Sequence, residues 1–331
     1  MKSRAHLLVA AIAVIVSLLA ASCGSDGGSS DAASDGGVFQ VAIVAPSASN
    51  DLAFSQSMVD SVNAVDRDLE IAITDGTFIV EDAAAAIRGY AEDGYDLVIA
   101  HGSQYGGPLQ EIAPEFPEVA FAWGTAVDTF GIENVSAYTV RADEGGYVNG
   151  TVAAQLTESG VIGVVGPIEV GDAKLYVDGF KAGAETQDPG VTVNVNYIES
   201  FSDVALAAEA AQSHLANGAD ILTGTAQMVV GATGAAGPAG AKWFGTQSNQ
   251  TALGPDFVVA SQVYHWEVVL EEMIAAVDDG SFGGNVHTLT LENGGLEIEF
   301  NDEFELDGAV VSGAQATIDG IIDGSIKTGV N

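Results

Sequence analysis

From Val41 almost to its end the chain alternates short apolar runs with longer stretches of helical periodicity, and this alternation restricts its fold more than any other feature. A run that ends in a loop and re-enters as a helix is one βα unit. Repeated units build parallel sheets with helices on both faces. The spacing predicts a first series of strands at Val41–Ala45, Glu70–Thr74, Leu97–Ala100, Val119–Trp123 and Val135–Val140. Helices are expected at Leu52–Val65, Val80–Asp93, Pro108–Ala113 and Asp143–Thr157. A second series follows, with strands at Val161–Val165, Val191–Ile198, Asp220–Thr223, Lys242–Phe244 and Phe257–Gln262. Its helices fall at Tyr176–Glu185, Val204–Asn217 and Val229–Ala236. The tail reads as a helix at Trp266–Asp279, a hairpin of His287–Leu291 and Gly295–Phe300, and a last helix at Val310–Ile322. A length of 331 residues is comfortable for two domains, and 47% apolar residues suffice for two cores. The expected class is α/β, with two doubly wound parallel-sheet lobes and a cleft between them. The lobes are expected at residues 39–160 with 267–331, and at residues 161–266.

In such sheets ligands bind outside the carboxyl ends of the strands. The first strand end places Asn50, Asp51 and Phe54 there, and the third adds Gln104 and Tyr105. Trp123 and Trp266 follow strands at the cleft edge, whereas Trp243 lies inside a strand and is assigned to the core. The second series contributes Phe201, Asp203, Thr225, Gln227 and Gln247. Aromatic faces that stack on a flat ligand contribute about 0.5–1.5 kcal/mol each beyond burial. For each aromatic the alternative is core packing, and for each polar residue a solvated loop.

Composition excludes several classes. The chain carries 46 acidic and 9 basic residues, a net charge of −37. Nucleic acid is a poor partner for that surface, because binding it needs Lys and Arg to neutralise phosphates. The single cysteine, Cys23, permits no disulfide within the chain and no cysteine-based metal site. The five histidines show no close pairing, which argues against zinc chemistry, and nothing in sequence near His265 orients it as an acid or base. The run Gly231–Gly237 has GxxGxxG spacing within a helix and its exit, so it fails the context of a dinucleotide site. No Walker motif, GxSxG or HExxH occurs. No catalytic residue, cofactor or metal site is expected.

The amino terminus has the pattern of an export signal over residues 1–22. Lys2 and Arg4 precede the apolar core Leu7–Ala21, which is short for a membrane span. The end, LAASCG, resembles the lipobox of bacterial lipoproteins, with Ala20 where Leu usually stands three residues before the cysteine. On that resemblance Cys23 becomes the lipidated first residue; the alternative is an ordinary secretory signal. Two or three acyl chains, at roughly 0.8 kcal/mol per buried methylene, anchor stably. Residues 23–38, rich in Gly, Ser and Asp, form a flexible tether.

Several stretches in order resemble the BMP family of bacterial substrate-binding lipoproteins, which includes purine-nucleoside receptors and Med-like proteins. VAIVAPSASNDLAFSQS resembles its opening strand and Asp-x-x-Phe loop, and ADEGGYVNGTVAAQLTESGVIGVVG its Tyr-x-x-Gly helix and Gly-rich strand. SFSD, HLANGADIL, WFGTQSNQ and VVASQVYHW follow in the family's order. The resemblance implies a type I periplasmic-binding-protein fold, whose lobes close on a small-molecule ligand by hinge motion and dock on an ABC permease. It also implies a monomer held on the outer face of the cell membrane by its lipid.

In the nucleoside receptors of this family a purine stacks between aromatic residues, and carboxylates and a lysine hold the ribose. Phe54 matches the stacking phenylalanine, and Trp266 resembles the tryptophan of the Med-like branch. Three family aspartates fall on Ala45, Gly107 and Gln247, and the lysine on Tyr264. Those departures imply a flat, mostly neutral ligand: a nucleobase, a nucleoside held differently, or another small aromatic or polar solute. The expected function is solute capture for an ABC importer. The alternatives are a sensory binding protein of the same fold and, against the missing nucleophile–base set, an enzyme on an α/β scaffold.

Overall fold

The computed structural model describes residues 37–330. The export signal, Cys23 and nearly all of the tether lie outside the described residues. The first sheet has six parallel strands in the order β11-β5-β4-β3-β1-β2. These are β1 (Phe39–Val44), β2 (Leu69–Thr74), β3 (Leu97–Ala100), β4 (Ala120–Gly124), β5 (Val135–Val140) and β11 (Val286–Leu289). Helices α1 (Phe54–Ala64), α2 (Val80–Glu92), α3 (Gly106–Ile112) and α8 (Glu267–Asp278) accompany it.

The second sheet repeats the plan in the order β12-β10-β9-β8-β6-β7. Its strands are β6 (Val161–Gly166), β7 (Thr192–Tyr197), β8 (Ile221–Gly224), β9 (Lys242–Gln247), β10 (Val258–Tyr264) and β12 (Leu296–Phe300), of which β12 runs antiparallel to β10. Helices α4 (Ala142–Leu156), α5 (Gly171–Gln187), α6 (Val204–Ala216), α7 (Val229–Ala236) and α9 (Gly308–Ile322) belong with it. The two α/β lobes, one sheet parallel and the other parallel but for β12, are those of a type I periplasmic-binding-protein fold.

Position in the sheet explains the strand sequences. β3, β4 and β10 are buried on both faces; β3 and β4 read as continuous apolar runs, whereas β10 carries the buried polar pair Ser261 and Gln262. The edge strand β7, TVNVNY, alternates exposed and half-buried positions, as a strand covered on one face must.

The tail departs from expectation. β11 and β12 do not form a hairpin: β11 joins the first sheet beside β5, and β12 joins the second beside β10. The turn between them is thus a crossing between lobes. Residues 296–300 therefore lie with the second sheet, not with the first lobe. The first crossing also moves, from after Gly160 to Arg141, because α4 packs along α5. Glycines permit that contact: a Cβ on Gly150 would sit 2.0 Å from Phe180 O, and one on Gly183 2.1 Å from Tyr147 O. At Arg141 the guanidinium holds the buried Asp143 carboxylate through two 2.8 Å bonds, and Thr328 Oγ1 donates to it at 2.6 Å. The second crossing runs from β10 through His265 and Trp266 into α8.

Candidate functional site

The carboxyl ends of both sheets face one cleft of about 250 Å³. The first lobe contributes Phe54, Phe78, the Gly102–Gln104 segment and Thr125. The second contributes Asp172, Phe201, Gln227 and Gln247. The lobes touch beside it, where Ser248 Oγ donates to Ala53 O at 2.8 Å and Gln250 Nε2 to Leu52 O at 3.0 Å.

Phe54 is the best-supported aromatic. One face stacks on the His101 imidazole, with centroids 3.8 Å apart and planes 12° from parallel. His101 Nε2 donates to Phe54 O at 2.9 Å, and the Tyr138 hydroxyl donates to His101 Nδ1 at 2.7 Å. Complete burial pushes the imidazole down to about 3, so it is a neutral platform. Asp51 fixes the start of α1, accepting from the backbone N–H of Ala53, Ser55 and Gln56 at 2.9–3.1 Å.

Polar groups supply the rest of the lining. Gln227 Oε1 and Gln247 Oε1 are buried acceptors without a hydrogen-bond partner among the described residues, as is Thr225 Oγ1. Asp172, in the first turn of α5, is the one carboxylate lining the cleft among the described residues, and no described Lys, Arg or His lines it. Desolvation pushes its carboxyl up to about 6, although the N–H groups of Asp172 and Ala173 and the Gln247 side chain favour the charge. Thr125, Ala226 and Gln247 take positive φ angles of 49°, 74° and 73°. Such conformations cost of order 1–3 kcal/mol each and gather at ligand sites. The arrangement offers aromatic faces and hydrogen-bond acceptors to a small, flat solute with donor groups.

The sequence model of the family described as ABC transporter substrate-binding protein PnrA-like matches residues 38–317. The chain belongs to this family. It is similar to a purine-binding protein of Brucella abortus, 29% identical over 69% of this chain and 64% of that protein. It is also similar to a putative ABC transporter glucose-binding protein of Haloferax volcanii, 24% identical over 79% of this chain and 66% of that one. These matches span slightly under two thirds of each relative's length. Among solved structures, an ABC transporter solute-binding protein of Conexibacter woesei shares the fold. Its TM-score is 0.74 at 23% identity, over 88% of this chain and 98% of that one. The family is one of ABC transporter substrate-binding proteins, and the solved structure shows its fold.

In this PnrA-like chain the structure brings Phe54, Gln104, Phe201, Gln227 and Gln247 together in the cleft. It does not bring the other expected residues into the lining. Asn50 is exposed, and Asp51 and Asp203 serve as caps, Asp203 accepting from Leu206 N at 2.9 Å. Tyr105 is buried, its hydroxyl donating to Thr77 O at 2.9 Å. Trp123 is buried against Phe130 and donates to Gly102 O, so it backs the cleft wall from behind. Trp266 is fully buried, with Nε1 donating to Ser57 Oγ at 2.9 Å. Tyr264 is buried, its phenol held high by burial and by the nearby Asp172 charge. Thr225 is buried one residue before the lining Ala226.

Sequence reasoning missed Phe78, Thr125 and Asp172. The strand-end rule applied to β6 points to the loop that holds Asp172, but the helix expected from Tyr176 begins at Gly171 and hides the residue in its first turn.

Proposed function

We propose that this PnrA-like chain captures a small, flat solute in the interlobe cleft and passes it to an ABC permease. The solute class is a nucleobase or a nucleoside held without the full charged ribose set. One observation carries the reading: Phe54 and Phe78 from one lobe and Phe201 from the other converge on a cleft with unpaired amide acceptors. The volume, below the roughly 300–1,000 Å³ typical of drug-sized pockets, favours a small solute. The name of the Brucella relative supports the purine class, and that of the Haloferax relative makes hexoses the comparison to run. Lipidated Cys23 would hold the protein on the outer face of the cell membrane, as a monomer.

The test is a thermal-shift and calorimetry panel of nucleobases, nucleosides and monosaccharides. The expected result is a shift with a purine base or nucleoside and none with hexoses. Phe54→Ala and Phe201→Ala should each weaken binding at least about 2–10-fold, since a stacked face contributes about 0.5–1.5 kcal/mol beyond burial. A hexose as the tight ligand, unaffected by either change, would end the flat-solute reading.

A further inference from the structure

The hinge holds a second cluster, which the spacing of histidines in the sequence did not reveal. β10 enters the second crossing at His265, and β12 returns beside it from the third. Their register sets Val263 opposite Glu297, and His265 N donates to Gly295 O at 2.9 Å. Alternation along β12 sends Glu297 and Glu299 to one face. His265 Nε2 lies 3.3 Å from Glu297 Oε2 and 3.9 Å from Glu299 Oε1, and one ligand atom from each residue falls within 4.8 Å of the others.

The imidazole is oriented, contrary to the sequence-based expectation. His265 Nδ1 lies 3.0 Å from Glu267 Oε1 and donates to it in the neutral ring. Nε2 is buried and has no hydrogen-bond partner among the described residues, because its contact with Glu297 lacks hydrogen-bond geometry. In that tautomer a lone pair faces two anions, an arrangement that a cation resolves. Two donors about 2.0–2.1 Å from a tetrahedral zinc ion lie about 3.3–3.4 Å apart, the His265–Glu297 separation.

We propose that His265, Glu297 and Glu299 bind a divalent transition metal at the hinge, zinc by its donor set, with water completing the shell. Glu267 is the carboxylate behind the ligating histidine, which fixes tautomer and ring orientation. Asn249 Nδ2 donates to the other Glu299 oxygen at 2.5 Å and steadies it. The metal would join the second and third crossings. The adjoining cavity, about 320 Å³, is lined by His265, Glu299 and Gln247, and Gln247 also lines the solute cleft.

The test uses the full chain, purified without a histidine tag, stripped with EDTA and titrated with zinc. The expected result is one zinc per chain and a raised Tm that EDTA reverses. His265→Gln and a Glu297→Gln/Glu299→Gln double variant should weaken zinc binding by more than 100-fold. Glu267→Gln should weaken it about 10–100-fold. His287→Ala, at the separate exposed His287–Glu272 pair, should leave zinc binding unchanged. X-ray absorption of the cobalt-loaded wild type should show a histidine nitrogen in an otherwise oxygen shell, a readout independent of how the variants fold. The proposal is overturned if the wild type binds no zinc, if His265→Gln leaves binding intact, or if the absorption spectrum shows no imidazole. A protonated His265 held only by the three carboxylates would give the first of these results.

Discussion

Asp172 and His101 titrate in opposite directions at the cleft, and each leaves a measurable mark. The Asp172 carboxyl is raised to about 6, above its unfolded value near 4. Its contribution to stability is therefore full below about pH 4 and is lost as pH rises through 6. Asp172→Asn should gain in Tm relative to the wild type between pH 4 and 7. A solute that donates to this carboxylate favours its charged form, so wild-type affinity should rise from pH 5 to 7 and the Asn variant should show a flat profile by calorimetry. His101 is lowered to about 3 from 6.5. Its contribution is present above pH 6.5 and is lost as pH falls toward 3, at up to about 1.4 kcal/mol per pH unit. His101→Gln cannot protonate, so acid titration of its stability should lack this portion of the slope. An identical acid slope in both proteins would show that His101 does not carry it.

At the scale of elements, the packing of α4 along α5 is the most extensive contact between helices among the described residues and is readily tested. Gly150→Ala places a methyl 2.0 Å from Phe180 O, a backbone atom that cannot turn aside. Overpacking of this kind costs typically 1–3 kcal/mol, so urea unfolding should show a loss of at least that size. A neutral Gly150→Ala would mean that the helices separate freely. Buried strands such as β3 and β4 are apolar runs whatever their neighbours, so their existence can be read directly. The sheets that β11 and β12 join depend on partners distant in sequence, β5 for β11 and β10 for β12, and a local pattern suggests a hairpin instead. Asp172 escaped because Gly171 and Asp172 are poor helix formers that nevertheless open α5. A strand end fixes position but not side-chain direction, so Trp123 and Trp266, expected at the cleft from sequence, both turn their rings into the core.

Across the whole molecule, three crossings join the lobes, and hydrogen bonds from Ser248 and Gln250 to the start of α1 tie them directly beside the cleft. Ser248→Ala removes the bond to Ala53 O, worth about 0.5–1.5 kcal/mol net. It should weaken solute affinity about 2–10-fold, chiefly through faster release, as read by stopped-flow fluorescence. An unchanged release rate would show that this contact takes no part in closure. The most direct measurement on the central claim is native mass spectrometry of the wild type and Phe54→Ala, each purified without denaturant and mixed with the purine panel. One purine base or nucleoside per wild-type chain is expected, with its loss or marked weakening in Phe54→Ala. A wild type that takes up no purine, or a bound purine indifferent to Phe54, would contradict the assignment of this cleft to a flat solute.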